Sequence, residues 1–227
     1  MTLIALVFLL GPVAHAQLPA RENAIAVSLL PAARQVPPGE KVALAVVMRP
    51  KPGWHGYWQN PGDAGAGAKV RWDLPPGVTA GPLRYPVPDR LIISGLMNYV
   101  YEREYALLTE LRLPAGLPQG TKLPVRAKLD YLACTDQICV PESATVSTEL
   151  EVGSGGPDNR ALLARYARVL PRPLANQASF EVAGDRLRIA VPLPASLVVT
   201  DPYFYPATEG ALDYSAVQTF AREGDLL

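Results

Sequence analysis

Between positions 122 and 132, Leu123, Val125, Ala127, Leu129 and Tyr131 alternate with Lys122, Pro124, Arg126, Lys128 and Asp130. A period of two sends the first set to one face and the second to the other, so the stretch reads as a strand with one buried and one wet face. Similar alternating or β-branched runs occupy 24–30, 41–48, 69–74, 78–85, 99–113 and 144–152, separated by Pro/Gly turns. Seven such runs predict an all-β fold, an immunoglobulin-like antiparallel β-sandwich over 17–153. The 24 prolines and 18 glycines are spread out as turns within a sequence that is 49% apolar, which marks a folded chain rather than a disordered one.

Beyond the sandwich, Ser154-Gly155-Gly156-Pro157 opens a linker over 154–175. Within it Leu162, Leu163, Tyr166 and Val169 recur at helical spacing, Asp158 or Asn159 supplies a cap, and Pro171 and Pro173 end the helix. Strand grammar returns in 176–227, where Phe180-Glu181-Val182 and Leu187-Arg188-Ile189-Ala190-Val191 flank the turn Ala183-Gly184-Asp185. About fifty residues are too few for a sandwich core, so this segment is expected to be a truncated second β-rich region. At the other end, residues 1–16 combine an apolar run, Gly11-Pro12 and the small-x-small ending Ala14-His15-Ala16, without a basic start. That pattern predicts a signal peptide and an exported product, in a compartment where disulfides persist. No later run reaches the roughly 18 apolar residues of a membrane span.

The inventory of reactive side chains excludes most chemistry. Lys plus Arg and Asp plus Glu number 21 each, which argues against nucleic-acid or polybasic membrane binding and leaves proteins as the expected partners. With His15 in the leader, His55 is the remaining histidine, too little for a zinc site or a Ser-His-Asp triad. Gly62-Asp63-Ala64-Gly65-Ala66-Gly67 lacks the Gly-Lys-Ser/Thr ending of a phosphate loop and reads as a plain loop. No metal, cofactor or small-molecule substrate is expected.

Cys134 and Cys139 bracket Thr135-Asp136-Gln137-Ile138 directly after a strand. A four-residue hairpin loop sets its flanking residues opposite each other, at a separation a disulfide can bridge. Spacing alone leaves two readings open, a structural staple and an exchanging redox pair. The chain-entropy model gives about 2 kcal/mol for so short a loop, the low end of its scale. A sulfur at a hairpin tip is open to attack, while Asp136 disfavours a thiolate and implies a modest relay rather than a strong oxidant. Alternation places Trp54, Gly56 and Trp58 on one face and His55 and Tyr57 on the other, which assigns the tryptophans to the core and Tyr57 to the vicinity of the cysteines.

Three stretches carry a resemblance: Pro52-Gly53-Trp54-His55-Gly56-Tyr57-Trp58-Gln59-Asn60-Pro61-Gly62-Asp63-Ala64-Gly65, then Tyr99-Val100-Tyr101-Glu102, and Asp130-Tyr131-Leu132-Ala133-Cys134-Thr135-Asp136-Gln137-Ile138-Cys139-Val140-Pro141-Glu142. Together they resemble the N-terminal periplasmic domain of the thiol:disulfide interchange protein DsbD, and most closely its ScsB-type relatives, associated with suppression of copper sensitivity. The resemblance implies a periplasmic immunoglobulin-like domain, a thiol-disulfide oxidoreductase of the protein-disulfide reductase type. It would take electrons from membrane-embedded and thioredoxin-like redox domains and pass them to periplasmic thioredoxin-fold proteins. Cys139 would form the mixed disulfide and Cys134 resolve it, with Tyr57, Leu96, Met97, Tyr99, Tyr101 and Asp136 lining the site. Better-studied members space their cysteines by five and shield them with a loop aromatic. Here the spacing is four, and no aromatic precedes Tyr99 in the corresponding stretch, so a cap falls to Leu96 or Met97. The transmembrane and thioredoxin-like portions are missing, so the chain works with separate partners or forms the N-terminal part of a membrane-anchored protein. Two rival readings are a non-catalytic interaction module with a structural disulfide, and Cu(I) handling by Cys134, Cys139, Met97 and His55.

Overall fold

The computed structural model describes residues 22–227; the signal peptide expected over 1–16 lies outside the described residues. In chain order the elements are β1 (Ile25–Pro31), β2 (Gln35–Val36), β3 (Lys41–Pro50), β4 (Gly56–Gly62), β5 (Lys69–Asp73), β6 (Thr79–Ala80), β7 (Asp89–Ile93), β8 (Leu96–Tyr101), β9 (Tyr105–Arg112), β10 (Lys122–Cys134), β11 (Cys139–Val152), α1 (Arg160–Ala167), β12 (Ser179–Ala183) and β13 (Arg186–Ala190). One sheet has the order β1-β3-β9-β6 and a second the order β2-β11-β10-β5; β4-β8-β7 form a third. Pairing is antiparallel throughout except for β2 beside β11. The result is an all-β, immunoglobulin-like sandwich.

The alternation read at 122–132 decides the core. Leu123, Val125, Ala127 and Leu129 of β10 point inward and join Leu44, Val46 and Met48 of β3 and Leu107 and Leu111 of β9 in one apolar cluster between the sheets. β10 and β11 pair without a break from Lys122↔Glu151 to Cys134↔Cys139. Their wet face carries exposed ion pairs such as Lys122 with Glu149 and Arg71 with Asp130, which keep it soluble and add little stability.

Where the strands depart from the sequence reading, the reason is local. Of 78–85 only Thr79–Ala80 pairs as a strand, since Pro82 has no N–H to donate; Arg84 adds a lone bridge to Leu108. The run 99–113 divides into β8 and β9 at Glu102, Arg103 and Glu104, where the chain passes from the third sheet to the first. β7 and β8 form a hairpin turning at Ser94 and Gly95, both left-handed (φ 52° and 84°), the geometry of a tight two-residue turn.

The helix covers the outer face of the first sheet, where Leu163 and Leu170 pack against Ala45, Val47, Ala106 and Leu108. That second layer explains why consecutive residues of β3 are buried. Asn159 does not cap the helix with its side chain; it donates Nδ2–H to the Pro31 carbonyl (3.0 Å) and ties the helix start to β1. β12 and β13 form the expected exposed hairpin. The sequence sets 176–227 apart from the sandwich, but its tyrosines pack onto it. Tyr214 is buried in the main core, Tyr203, Tyr205 and Tyr214 surround Tyr99, and Tyr205 also meets Trp58 edge-on. Fully buried Asn60 donates Nδ2–H to the Pro206 carbonyl (2.7 Å) and to Tyr214 Oη (3.2 Å). Arg90 pairs with Asp201 at 2.9 Å and lies 4.5 Å over the Tyr203 ring. Among the described residues, no helix is long and apolar enough to cross a membrane.

Candidate functional site

The last residue of β10 and the first of β11 are the two cysteines, set opposite each other with Cα atoms 4.1 Å apart and joined as a disulfide. The loop between them holds itself. Thr135 donates its N–H to the Ile138 carbonyl (2.8 Å), and its Oγ1 accepts the N–H groups of Gln137 and Ile138, both at 3.2 Å. Asp136 and Gln137 are exposed at the tip, and Ile138 beside Cys139 is an exposed apolar side chain.

The two cysteines live in different surroundings. Cys134 is fully buried against Tyr57 and Val100, with Leu91 and Leu132 packed around them, while Cys139 is exposed. The buried partner is also fixed through its backbone: Cys134 N–H donates to the His55 carbonyl (3.0 Å) and His55 N–H to the Cys134 carbonyl (2.8 Å). This pair pins the residue before β4 to the end of β10 and brings Tyr57, two residues on and on the same face, over the disulfide. Tyr57 Oη lies 3.9 Å from Cys139 Sγ, and His55 Nε2 lies 3.3 Å from Tyr57 Oη. Burial pushes the His55 ring below the usual histidine range, opposed by the charges of Glu102 and Asp136; burial pushes the Tyr57 phenol up. Both groups are therefore neutral near pH 7.

The glycine-rich segment after β4 is the loop the sequence predicts, and it brackets Tyr57. Gly65 has φ +103°, and a Cβ there would meet the Tyr57 ring at 2.2 Å; at Gly62 (φ +89°) a Cβ would meet the Met97 carbonyl oxygen at 2.3 Å. Backbone approaches this close need glycine. Asp63 Oδ2 accepts the Met97 N–H at 2.8 Å and ties the bracket to β8. Its signal in the sequence was the glycine spacing beside an aromatic-dense strand.

Of the expected lining residues, Tyr57 and the loop residue Asp136 stand at the disulfide. Met97, Tyr99 and Tyr101 do not: they occupy the face of β8 opposite Val100 and join the main core. Tyr101 donates to the Pro86 carbonyl (2.7 Å) and stacks on Tyr105, and Tyr99 pairs with Tyr203. Leu96 shares the Val100 face but sits at the hairpin turn, half exposed. The apolar cover over Cys134 comes instead from Leu91 of β7 and Val100. The turn dipeptide Ser94-Gly95 would have disclosed this, because it sets Leu91 opposite Asn98 and hence on the Val100 face. The four Cu(I) ligands are not gathered, since Met97 turns into the main core, away from Cys134, Cys139 and His55. Among the described residues, no cluster of three or more His, Cys, Asp or Glu side chains is placed to hold a metal.

A family model described as "Thiol:disulfide interchange protein DsbD, N-terminal" matches residues 26–151, from β1 through β11. The chain belongs to this family. No curated protein matches the chain in sequence. Among solved structures, the N-terminal periplasmic domain of ScsB from Proteus mirabilis superposes with a TM-score of 0.50 at 16% identity, over 77% of this chain and 66% of that one. This chain thus spans just under two thirds of that structure, and the likeness supports the sandwich fold. The reduced DsbD N-terminal domain of Neisseria meningitidis is similar at 18% identity and a TM-score of 0.31, over 59% of this chain and 87% of that one. A complex between the DsbD and PilB N-terminal domains of Neisseria meningitidis gives 17% identity and a TM-score of 0.32, over 63% and 92%. The DsbD N-terminal match includes both cysteines and both residues of the His55–Tyr57 couple.

Proposed function

We propose that this chain is a periplasmic electron relay that exchanges its Cys134–Cys139 disulfide with thioredoxin-fold protein partners, and that Cys139 is the sulfur the partner attacks. The observation that carries the reading is the asymmetry of the pair, one sulfur at an exposed loop end and one sealed under Tyr57, Val100 and Leu91. Attack on a disulfide requires an accessible sulfur along the bond axis, and only Cys139 lies at the surface.

In the reducing direction a partner thiolate attacks Cys139 Sγ, the Cys134–Cys139 bond breaks, and Cys134 leaves with the electron pair and takes up a proton. The partner's second thiolate then attacks the partner's own sulfur in the mixed disulfide and releases Cys139. The partner ends as a disulfide, and the domain has gained two electrons and two protons. Run backwards, the same steps pass the electrons on. The membrane-embedded and thioredoxin-like donors belong to the same proposal and rest on family membership.

A structural staple is the weaker reading because the hairpin does not need one. β10 and β11 are paired along their whole length up to the cysteines, and closing a loop this short adds only about 2 kcal/mol in the chain-entropy model. The test is a trap. Reduced Cys134→Ala, mixed with an oxidised periplasmic thioredoxin-fold protein, is expected to accumulate a mixed disulfide through Cys139, and Cys139→Ala to accumulate none. Absence of any covalent adduct from Cys134→Ala would remove the relay.

A further inference from the structure

The exchange proposed above consumes and releases protons at sulfur, and the His55–Tyr57 couple is the polar group that reaches the exposed sulfur from inside the domain. We propose that His55 is a positioning residue which, by donating Nε2–H to Tyr57 Oη, turns the phenol proton onto Cys139 Sγ and so sets the acidity of that thiol in the reduced domain. The inference rests on the exchange reading for its purpose, but its geometry stands independently.

Three observations carry it. The contacts run in series, from His55 Nε2 to Tyr57 Oη at 3.3 Å and from Tyr57 Oη to Cys139 Sγ at 3.9 Å. A phenol has one proton and its oxygen also accepts. If the imidazole accepts at Nε2, that proton goes to the ring and the sulfur receives nothing; if the imidazole donates, the proton is free for sulfur. Second, neither side chain can swing away. His55 is 2% exposed and its backbone is paired in both directions with Cys134, while the Tyr57 ring is pressed by the Gly65 backbone. The two rings meet edge to face at 5.3 Å between centroids. Third, the charged groups facing the couple are Glu102, next to the end of β8, and Asp136 in the cysteine loop. Both are acidic, and Asp136, in the loop that ends at Cys139, disfavours a thiolate there, so a directed hydrogen bond to sulfur is the counterweight the site holds.

A hydrogen bond to an ionised group is among the stronger ones in a protein. Removing it is expected to raise the Cys139 thiol pKa by about one unit, which is about a tenfold loss in thiolate at neutral pH. His55→Leu should produce nearly the same change as Tyr57→Phe, and the double variant should be no worse than Tyr57→Phe alone, because both remove one hydrogen bond.

The experiment is the pH dependence of iodoacetamide alkylation at Cys139, on protein fully reduced by a phosphine so that no partner is needed. His55→Gln, which keeps an N–H at the Nε2 position, should recover most of the wild-type thiol pKa; His55→Leu should not. An unchanged thiol pKa in folded His55→Leu, or strictly additive effects in the double variant, would overturn the proposal. If the leucine variant does not fold, the wild-type ring decides: long-range nitrogen–proton spectra of His55 at pH 7.5 should show the Nε2–H tautomer, and the Nδ1–H tautomer would contradict the assignment. A failed mixed-disulfide trap with a normal alkylation profile would sink the relay and leave this geometry intact.

Discussion

The two faces of the small β4-β8-β7 sheet make opposite use of the same kind of side chain. One face carries Trp58, Tyr99, Tyr101 and Met97 into the main core, where the tyrosines of 203–214 complete an aromatic cluster. The other carries Tyr57, Val100 and Leu91 against Cys134, a small satellite cluster with an exposed sulfur at its rim. Residues adjacent in sequence are thereby separated in role, Tyr99 and Tyr101 from Val100, and Trp58 from Tyr57. The large face holds the sheet in place, and the small face uses that fixed sheet to aim a phenol at sulfur.

If the faces are separable, substitutions should separate stability from exchange. Tyr99→Ala, at a fully buried position, is expected to cost about 3–5 kcal/mol by denaturant unfolding, while the folded fraction keeps its rate of disulfide exchange. Gly65→Ala should lose about 2 kcal/mol, from a left-handed backbone and a blocked ring contact. Because the new methyl displaces Tyr57, exchange should fall several-fold beyond what unfolding accounts for. Leu91→Ala and its neighbour Ile92→Ala make a sharper pair, since Leu91 packs on the satellite cluster and Ile92 is exposed. The first should cost about 1–2 kcal/mol and alter the exchange rate, the second within about 0.5 kcal/mol and nothing at the site. Equal effects would join the two faces again.

The smallest effect is pH dependence through His55. Its folded pKa lies below the 6.5 of an unperturbed histidine because burial penalises the charged ring. The unfolded chain therefore binds the proton first as pH falls. The stability this group contributes is complete above about pH 6.5 and is lost as pH drops from there through the lowered folded value. Urea midpoints of wild type and His55→Gln should run parallel above pH 7, with the wild type falling relative to the variant below pH 6.5.

The sandwich was legible in the sequence wherever one physical rule acted alone. At 122–132 a strict period of two met a single buried face, and the pairing of Cys134 with Cys139 followed from loop length. Legibility failed where two layers shared a strand. Leu91-Ile92-Ile93 and Leu96-Met97-Asn98 show no clean alternation, because Ile92 and Leu96 stay exposed at the hairpin tip while the adjacent Met97 and Asn98, on opposite faces, are both buried. The resemblance groups Tyr57, Met97, Tyr99 and Tyr101 at the cysteines, whereas the direction of each side chain sends Tyr99, Tyr101 and Met97 to the core and leaves Tyr57 at the disulfide. Contacts of 203–214 with Asn60 and Trp58 span well over a hundred positions, a distance at which local pattern carries no information.

The central claim, that the disulfide is a working redox pair and not a staple, is tested most directly by its reduction potential, measured by equilibrating the domain with a thioredoxin couple of known potential. The account predicts a value above about −300 mV, within the range in which thioredoxin-fold proteins exchange electrons. A value well below that, in the range of structural bridges in exported proteins, would contradict it.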